Sequence, residues 1–445
     1  MPRPTLILPR YVVPVRPRGQ VLEDYGVLIA GSRIEAVLPQ NEARRAINDG
    51  PVVELPDHVL MPGLINMHTH SPMTLLRGYA DDLDLKHWLH DHIWPVEGQY
   101  ADAEFVADGT RLAMAEMIRS GTTCFNDNYF FPNEMARVAR DAGMRARIGL
   151  PLLDQATRWA GEFDEYLDKG LAVVEEFAGE ALIDFTLAPH APYSVSNSGL
   201  EHIARVSTSR GLRVHLHCLE TRFDIEHSLH AHGVGPLERL ERHGLLNAHL
   251  IAVHMTQLDE RDIDRLAQSG THVVHCPQSN LKLASGICPA PALLKAGVNV
   301  SVGTDGAASN NNLDLLEEAR FAALLAKGAS EDATALDALQ AFDMMTINGA
   351  IALGMEEHIG SIEVGKQADL CAMNLAAPQT QPLHNLFSQI VYAASSAQFT
   401  DVWVAGKRVM MAGELETLDE SALLANTDEW RVRLRRPAKQ RKVAL

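Results

Sequence analysis

Cysteine is scarce in this chain, and what there is lies scattered. The five are Cys124, Cys218, Cys276, Cys288 and Cys371 in 445 residues. None forms a C-x-x-C pair, and an odd, dispersed set does not read as a disulfide framework. A reducing cytoplasm suits it best. Long apolar runs are missing too. No stretch approaches the ~20 apolar residues that span a bilayer, so no membrane partner is expected. The start, Met1-Pro2-Arg3-Pro4, lacks the sustained apolar core of a secretion signal. Positive charge is in deficit: 39 Lys and Arg stand against 57 Asp and Glu, a formal charge of −18. Nothing offsets phosphate repulsion, which argues against nucleic acid as a general partner. The exception is a basic cluster at the C-terminus: Arg431, Arg433, Arg435, Arg436, Lys439, Arg441 and Lys442. It reads as a solvated or frayed tail.

What is present is an ordinary globular composition, 46% hydrophobic and 22% charged, on a chain too long for one small core. Two domains, or one large barrel with an appendage, are expected. Residues 1 to 60 read as short strands at 6–8, 11–13, 26–29 and 33–37, punctuated by Pro, Gly and Asn48-Asp49-Gly50. No helical period competes there. From residue 62 the pattern changes. Apolar runs recur at 64–67, 122–125, 146–150, 184–188, 213–216, 250–253, 271–274 and 298–302. Amphipathic stretches lie between several of them, at 103–119, 200–210 and 260–268. Eight alternations of strand and helix predict parallel strands joined by crossover helices.

The fold class is therefore α/β, with a (β/α)8 barrel over residues 62–359. An open doubly wound sheet is the alternative. The barrel is preferred because polar residues recur at the C-terminal end of nearly every strand, not at one switch point. After a helical stretch at 334–353, β character returns at 360–370 and 400–409. Residues 1–61 and 360–445 are expected to meet as one small β-sandwich, a discontinuous domain.

The strand ends carry the chemistry. The first ends in His68-Thr69-His70, and residues two apart on a strand face the same way. The fourth ends at His190, the fifth contains His215-Leu216-His217 followed by Glu220, and the sixth ends at His254. The seventh runs into His275-Cys276-Pro277-Gln278-Ser279-Asn280 and the eighth into Thr304-Asp305-Gly306. A catalytic divalent ion needs nitrogen and oxygen donors and an open position for water. His68, His70, His217 and Asp305 would supply the donors. Glu220, past the strand end, is placed to carry a proton beside the metal without ligating it. His254 could hydrogen-bond the attacking water, whose pKa a metal lowers to roughly 7.

These segments together, from Pro62-Gly63-Leu64 through His68-Thr69-His70, His217-x-x-Glu220, His254 and His275-Cys276-Pro277-x-Ser279-Asn280 to Thr304-Asp305-Gly306, resemble the amidohydrolase superfamily. Within it they resemble the branch of triazine chlorohydrolases, guanine deaminases and 5′-methylthioadenosine/S-adenosylhomocysteine deaminases. The resemblance covers nearly the whole chain. It implies one metal per subunit, because the fourth strand end reads Ala188-Pro189-His190 where two-metal members carry a modified lysine. His190 then looks like a substrate contact. The stretch Trp88 to Glu97 resembles the one that holds ribose hydroxyls, with Glu97 as acceptor from the vicinal diol. Arg147 and Arg158 lie where the family places arginines near the 5′ substituent; for Arg147 a structural role is the alternative.

The resemblance implies hydrolytic deamination of the 6-amino group of methylthioadenosine, S-adenosylhomocysteine or adenosine. Glu220 would protonate N1, and Asp305, assisted by His254, would take the proton of the water that attacks C6. The metal expected is Zn²⁺, with Fe²⁺ and Mn²⁺ accepting similar ligands. The partner is a small-molecule nucleoside, and a homo-oligomer is compatible with the family. Two other functions compete: action on another heterocycle such as guanine, 8-oxoguanine or a triazine, and a catalytically dead barrel used for assembly. His215 reads as a hydrogen-bonded core residue. Cys218 and Cys276 read as small buried hydrophobes.

Overall fold

A computed structural model describes residues 3–47 and 49–435. Asn48 of the expected turn, and Arg436, Lys439, Arg441 and Lys442 of the basic cluster, lie outside the described residues.

The eight apolar runs form the eight barrel strands: Leu64–Thr69, Thr122–Asn128, Arg145–Leu152, Ile183–Pro189, Val214–Cys218, Leu250–His254, His272–His275 and Val300–Val302. They pair in sequence order, each parallel to the next. Runs of this kind suit strands covered on both faces, and all of Leu64–Thr69 and Val214–Cys218 is buried. The first and last strands close the ring above their ends. Asp305 N donates to His68 O at 3.0 Å, and Thr304 N to Asn66 Oδ1 at 3.1 Å. The eighth strand can come this close because Gly303 lacks a side chain: a Cβ there would sit 2.6 Å from His68 N.

The amphipathic stretches become helices Ala103–Arg119, Asn197–Arg210 and Glu260–Ser269. Their starts are set by Asp102, Ser196 and Asp259, whose side chains accept from backbone N–H groups of the first turn. Gly211 and Gly270 end the second and third in the left-handed conformation.

The chain ends meet in a second, mixed sheet, nine-stranded among the described residues. Its spine is the strand Val52–Pro62, parallel to Thr5–Val12 on one side and antiparallel to Leu370–Asn374 on the other. Ile7, Val27 and Ile29 share a core with Leu370, Ala372 and Trp403. An Arg33–Gln367 bridge joins the two halves. The expected sandwich is thus one sheet folded over its own core.

Three local expectations fail. Helix Gln40–Ala46 occupies a stretch with no visible helical period, because it buries only Ala43, over Leu6, Leu8 and Leu28. Residues 360–369 turn before the strand begins at Leu370, with Gly360 and Gly365 at positive φ. The C-terminal tail is not frayed as far as it is described. Glu420–Leu434 is a helix that buries Leu423, Trp430 and Leu434, so Arg431 and Arg433 belong to an ordered element.

Candidate active site

The six strand ends expected to carry chemistry rise to one rim. His68 and His70, with one residue between them, turn both Nε2 atoms onto Asp305 Oδ1, at 3.3 and 3.2 Å. His217 Nε2 comes within 3.3 Å of His70 Nε2. His68, His217 and His254 form a second set of ring nitrogens within 4.8 Å of one another, sharing His68 with the first.

The outer nitrogens show how these rings are held. His70 Nδ1 meets Asn128 O, and His217 Nδ1 meets His190 O at 2.6 Å. A carbonyl only accepts, so both Nδ1 atoms carry hydrogen, and in the neutral rings both Nε2 atoms present lone pairs. Two lone pairs 3.3 Å apart repel unless a cation lies near them. His68 Nε2 is buried with no hydrogen-bond partner, and its Nδ1 lies 3.0 Å from His215 Nε2. Inward nitrogens with outward hydrogen bonds are the arrangement of metal-binding histidines. Three imidazoles and a carboxylate oxygen therefore fit a divalent ion of the zinc type.

Asp305 is held just as firmly. Gly306 N donates to Oδ1 at 2.8 Å; Ser279 and Ser309 Oγ reach Oδ2 at 2.6 and 3.0 Å. Burial alone would raise its pKa, but the close approach and charge of His68 and His70 hold it well below the usual range. Burial likewise opposes the charged form of His70, yet Asp305 lifts it to about 9. The carboxylate thus draws positive charge to this point, where a cation would lie.

Glu220 faces the same space from the fifth strand. Its pKa is raised well above the carboxylate range, by burial first and then by Asp305 and Asp224. Ser285 Oγ reaches its Oε1 at 3.3 Å, and its own N–H donates to Asp224 Oδ2 at 2.7 Å. Oε2 lies 3.7 Å from His254 Nε2. Ser285 sits between two residues at positive φ, Ala284 and Gly286. A Cβ on Gly286 would come within 2.6 Å of Gln257 Nε2, so the turn that presents Ser285 depends on that glycine. His254 stays neutral, its pKa pushed down to about 3 by burial. Its Nδ1 lies 3.0 Å from Asn280 Nδ2.

Glu97, in helix Trp94–Tyr100, is buried and accepts from Tyr129 Oη at 2.6 Å. Burial lifts it to about 7, with Tyr129 and the charge of His70 working against the rise. His190 is in ring contact with His217 at 5.1 Å and is kept neutral by burial, which lowers its pKa to about 4.

The two arginines do not join this group. Arg147 is the third residue of its strand and pairs with Asp184 at 2.7 Å, near the amino-terminal end of the barrel and away from the rim. The structural alternative describes it. Arg158, half exposed, donates to Gln99 O at 2.5 Å and pairs with Asp102 at 3.2 Å. It braces the end of the Glu97 helix. By the resemblance, loops 279–286 and 303–311 look like the pocket rim, and they hold Ser279, Asn280, Ser285 and Ser309; the resemblance gave these four no individual roles.

The chain belongs to the amidohydrolase family, whose model matches residues 59–409. It is 47% identical over 424 residues to a 5-methylthioadenosine/S-adenosylhomocysteine deaminase of Teredinibacter turnerae, covering 95% of this chain and 96% of the relative. It is 41% identical to a 5′-deoxyadenosine deaminase of Methanopyrus kandleri, covering 92% and 95%. Among solved structures, an adenosine deaminase from Xanthomonas campestris with bound zinc is 51% identical, with a TM-score of 0.96 over 97% of this chain and 98% of that one.

Proposed function

We propose that this chain is a zinc-dependent aminohydrolase that removes the 6-amino group of 5′-methylthioadenosine, S-adenosylhomocysteine or a related adenosine, releasing ammonia. The observation that carries the proposal is the convergence of His68, His70 and His217 Nε2 on Asp305, with Glu220 facing the same space. The names of the full-length relatives support the adenosine class. Zinc is supported by the donor set and by the zinc in the Xanthomonas protein.

His68, His70, His217 and Asp305 would hold the ion, which supplies the Lewis acidity that makes water a nucleophile near neutral pH. Glu220 does the first proton work. Burial keeps a proton on it, so it can donate to N1 of the purine and make C6 electrophilic. Asp305, kept ionised, accepts a proton from the attacking water. That proton leaves on the amino group; the C6–N bond breaks, ammonia departs, and the remaining hydroxyl proton returns to Glu220 as C6–O becomes a carbonyl. His254 is neutral and its Nε2 faces Glu220, so it orients the water by hydrogen bonding and carries no charge. Glu97 accepts from the ribose diol, and His190 borders the ring.

Ammonia release from methylthioadenosine and from guanine by the zinc-loaded protein tests the reading. Turnover of the nucleoside and none of the free base is expected; activity on guanine alone would overturn it.

A further inference from the structure

The helix that carries Glu97 ends at Tyr100, and Tyr100 is tied to the far end of the chain. Its hydroxyl donates to Arg433 O at 3.0 Å, in the last turn of helix Glu420–Leu434. That turn is locked onto helix Ala103–Arg119. Arg433 makes a two-pronged pair with Glu104, both contacts at 3.0 Å, and its guanidinium lies 3.6 Å over the Trp430 ring. Trp430 is buried, donates from Nε1 to Asp108 Oδ2 at 2.9 Å and meets Phe105 edge-on at 5.3 Å. The other end of the C-terminal helix is pinned by Arg119 on Glu420 at 2.5 Å.

Exposed ion pairs contribute little alone. Here a stacked arginine, a buried indole and two pairs act on one helix, and the result is a fixed carbonyl at Arg433. Tyr100 is three residues beyond Glu97, and Ala101 N closes the helix on Glu97 O at 2.9 Å. Arg158 holds Gln99 O and Asp102 from the other side. The turn bearing Glu97 is thus gripped between the loop after the third barrel strand and the C-terminal helix.

We propose that the C-terminal helix positions Glu97 for substrate recognition, with Tyr100 as the residue through which it acts. This rests on the reading of Glu97 as the ribose acceptor. Arg433, a surface charge by composition, stacks on the indole that anchors the device. Tyr100 touches no reacting atom; it is a positioning residue, and its effect belongs in KM.

The experiment uses the full-length, zinc-loaded protein with adenosine and 2′,3′-dideoxyadenosine, which lacks the diol. Tyr100→Phe removes one hydroxyl and keeps the ring. A neutral hydrogen bond predicts a rise of about fivefold in KM for adenosine. We expect kcat to stay within about twofold and KM for the dideoxy compound not to move, since the hydrogen bond acts only on the diol contact. Glu97→Gln should raise KM for adenosine more, and the double variant should match Glu97→Gln alone, because Tyr100 acts through Glu97. Trp430→Ala, which frees the helix end, should repeat the Tyr100→Phe pattern more strongly. If Glu97→Gln discriminates against the diol while Tyr100→Phe does not, the inference fails and the ribose reading stands. If both variants raise KM equally on the two substrates, or their effects multiply, the inference fails as well. If Glu97→Gln leaves KM for adenosine unchanged, the ribose reading falls and takes the inference with it.

Discussion

The two ends of the barrel bury charge in opposite ways. At the foot, Arg145 meets Asp369 with two nitrogens, at 2.6 and 3.1 Å, and Asp369 also accepts from Ala405 N at 2.7 Å. Arg145 further donates to Ala181 O at 3.2 Å. Both charges of this pair have partners, and the pair joins the barrel to the terminal sheet. At the rim, His68 Nε2 has no hydrogen-bond partner, two histidine lone pairs face each other, and Glu220 is held protonated by burial. A buried ion pair with complete hydrogen bonding is a joint. Buried groups left half-partnered are poised for something that is not part of the chain.

Variants at each end sharpen that contrast, and the largest effect belongs to the rim. Glu220→Gln should lower kcat by roughly 10³-fold, within the range of general acid–base catalysis, with the bound metal retained. Steady-state ammonia release and metal analysis on the same sample check both halves. Undiminished turnover would refute the proton role. At the foot, Arg145→Met leaves Asp369 buried without its counter-charge and should cost about 3–5 kcal/mol of stability, read by urea denaturation. The folded fraction should keep its kcat. Arg147→Met should cost under ~1 kcal/mol, since Asp184 is more than half exposed.

An intermediate effect is expected behind Asp305. Ser309→Ala removes one of two hydroxyls on Oδ2 and should weaken zinc affinity about tenfold in a chelator competition, as outer partners of metal ligands do. The last is a pH effect. Glu97 has a folded pKa of about 7 against 4.5 for the free side chain. Between these values the folded chain holds a proton that the unfolded chain has released, so stability falls as pH rises through that window. Glu97→Gln should flatten the slope. Melting temperatures at pH 5 and pH 8 should differ less in the variant than in the parent, and equal differences would remove Glu97 from the account.

Much of this contrast is legible in the sequence. All eight barrel strands lie where apolar runs stand, because a strand covered on both faces must be apolar along its length. The histidines at their ends are visible because nothing about packing asks for them. Arg147 shows the limit of the family likeness. It stands near the start of its strand, the wrong end for chemistry in a barrel of this kind. Ser285 and Ser309 were not legible, since their roles depend on loops from different strands meeting in space. The C-terminal helix was hidden for another reason: its arginines dominate the composition, while one buried indole, Trp430, determines where it packs.

The central claim is that the unmet groups at the rim form one metal site. Zinc content after loading and exhaustive dialysis tests it most directly. The account predicts about one zinc per chain, and a loss of most of it in His217→Ala. Less than about a tenth of an equivalent in the parent protein, under conditions where it stays folded, would contradict the account.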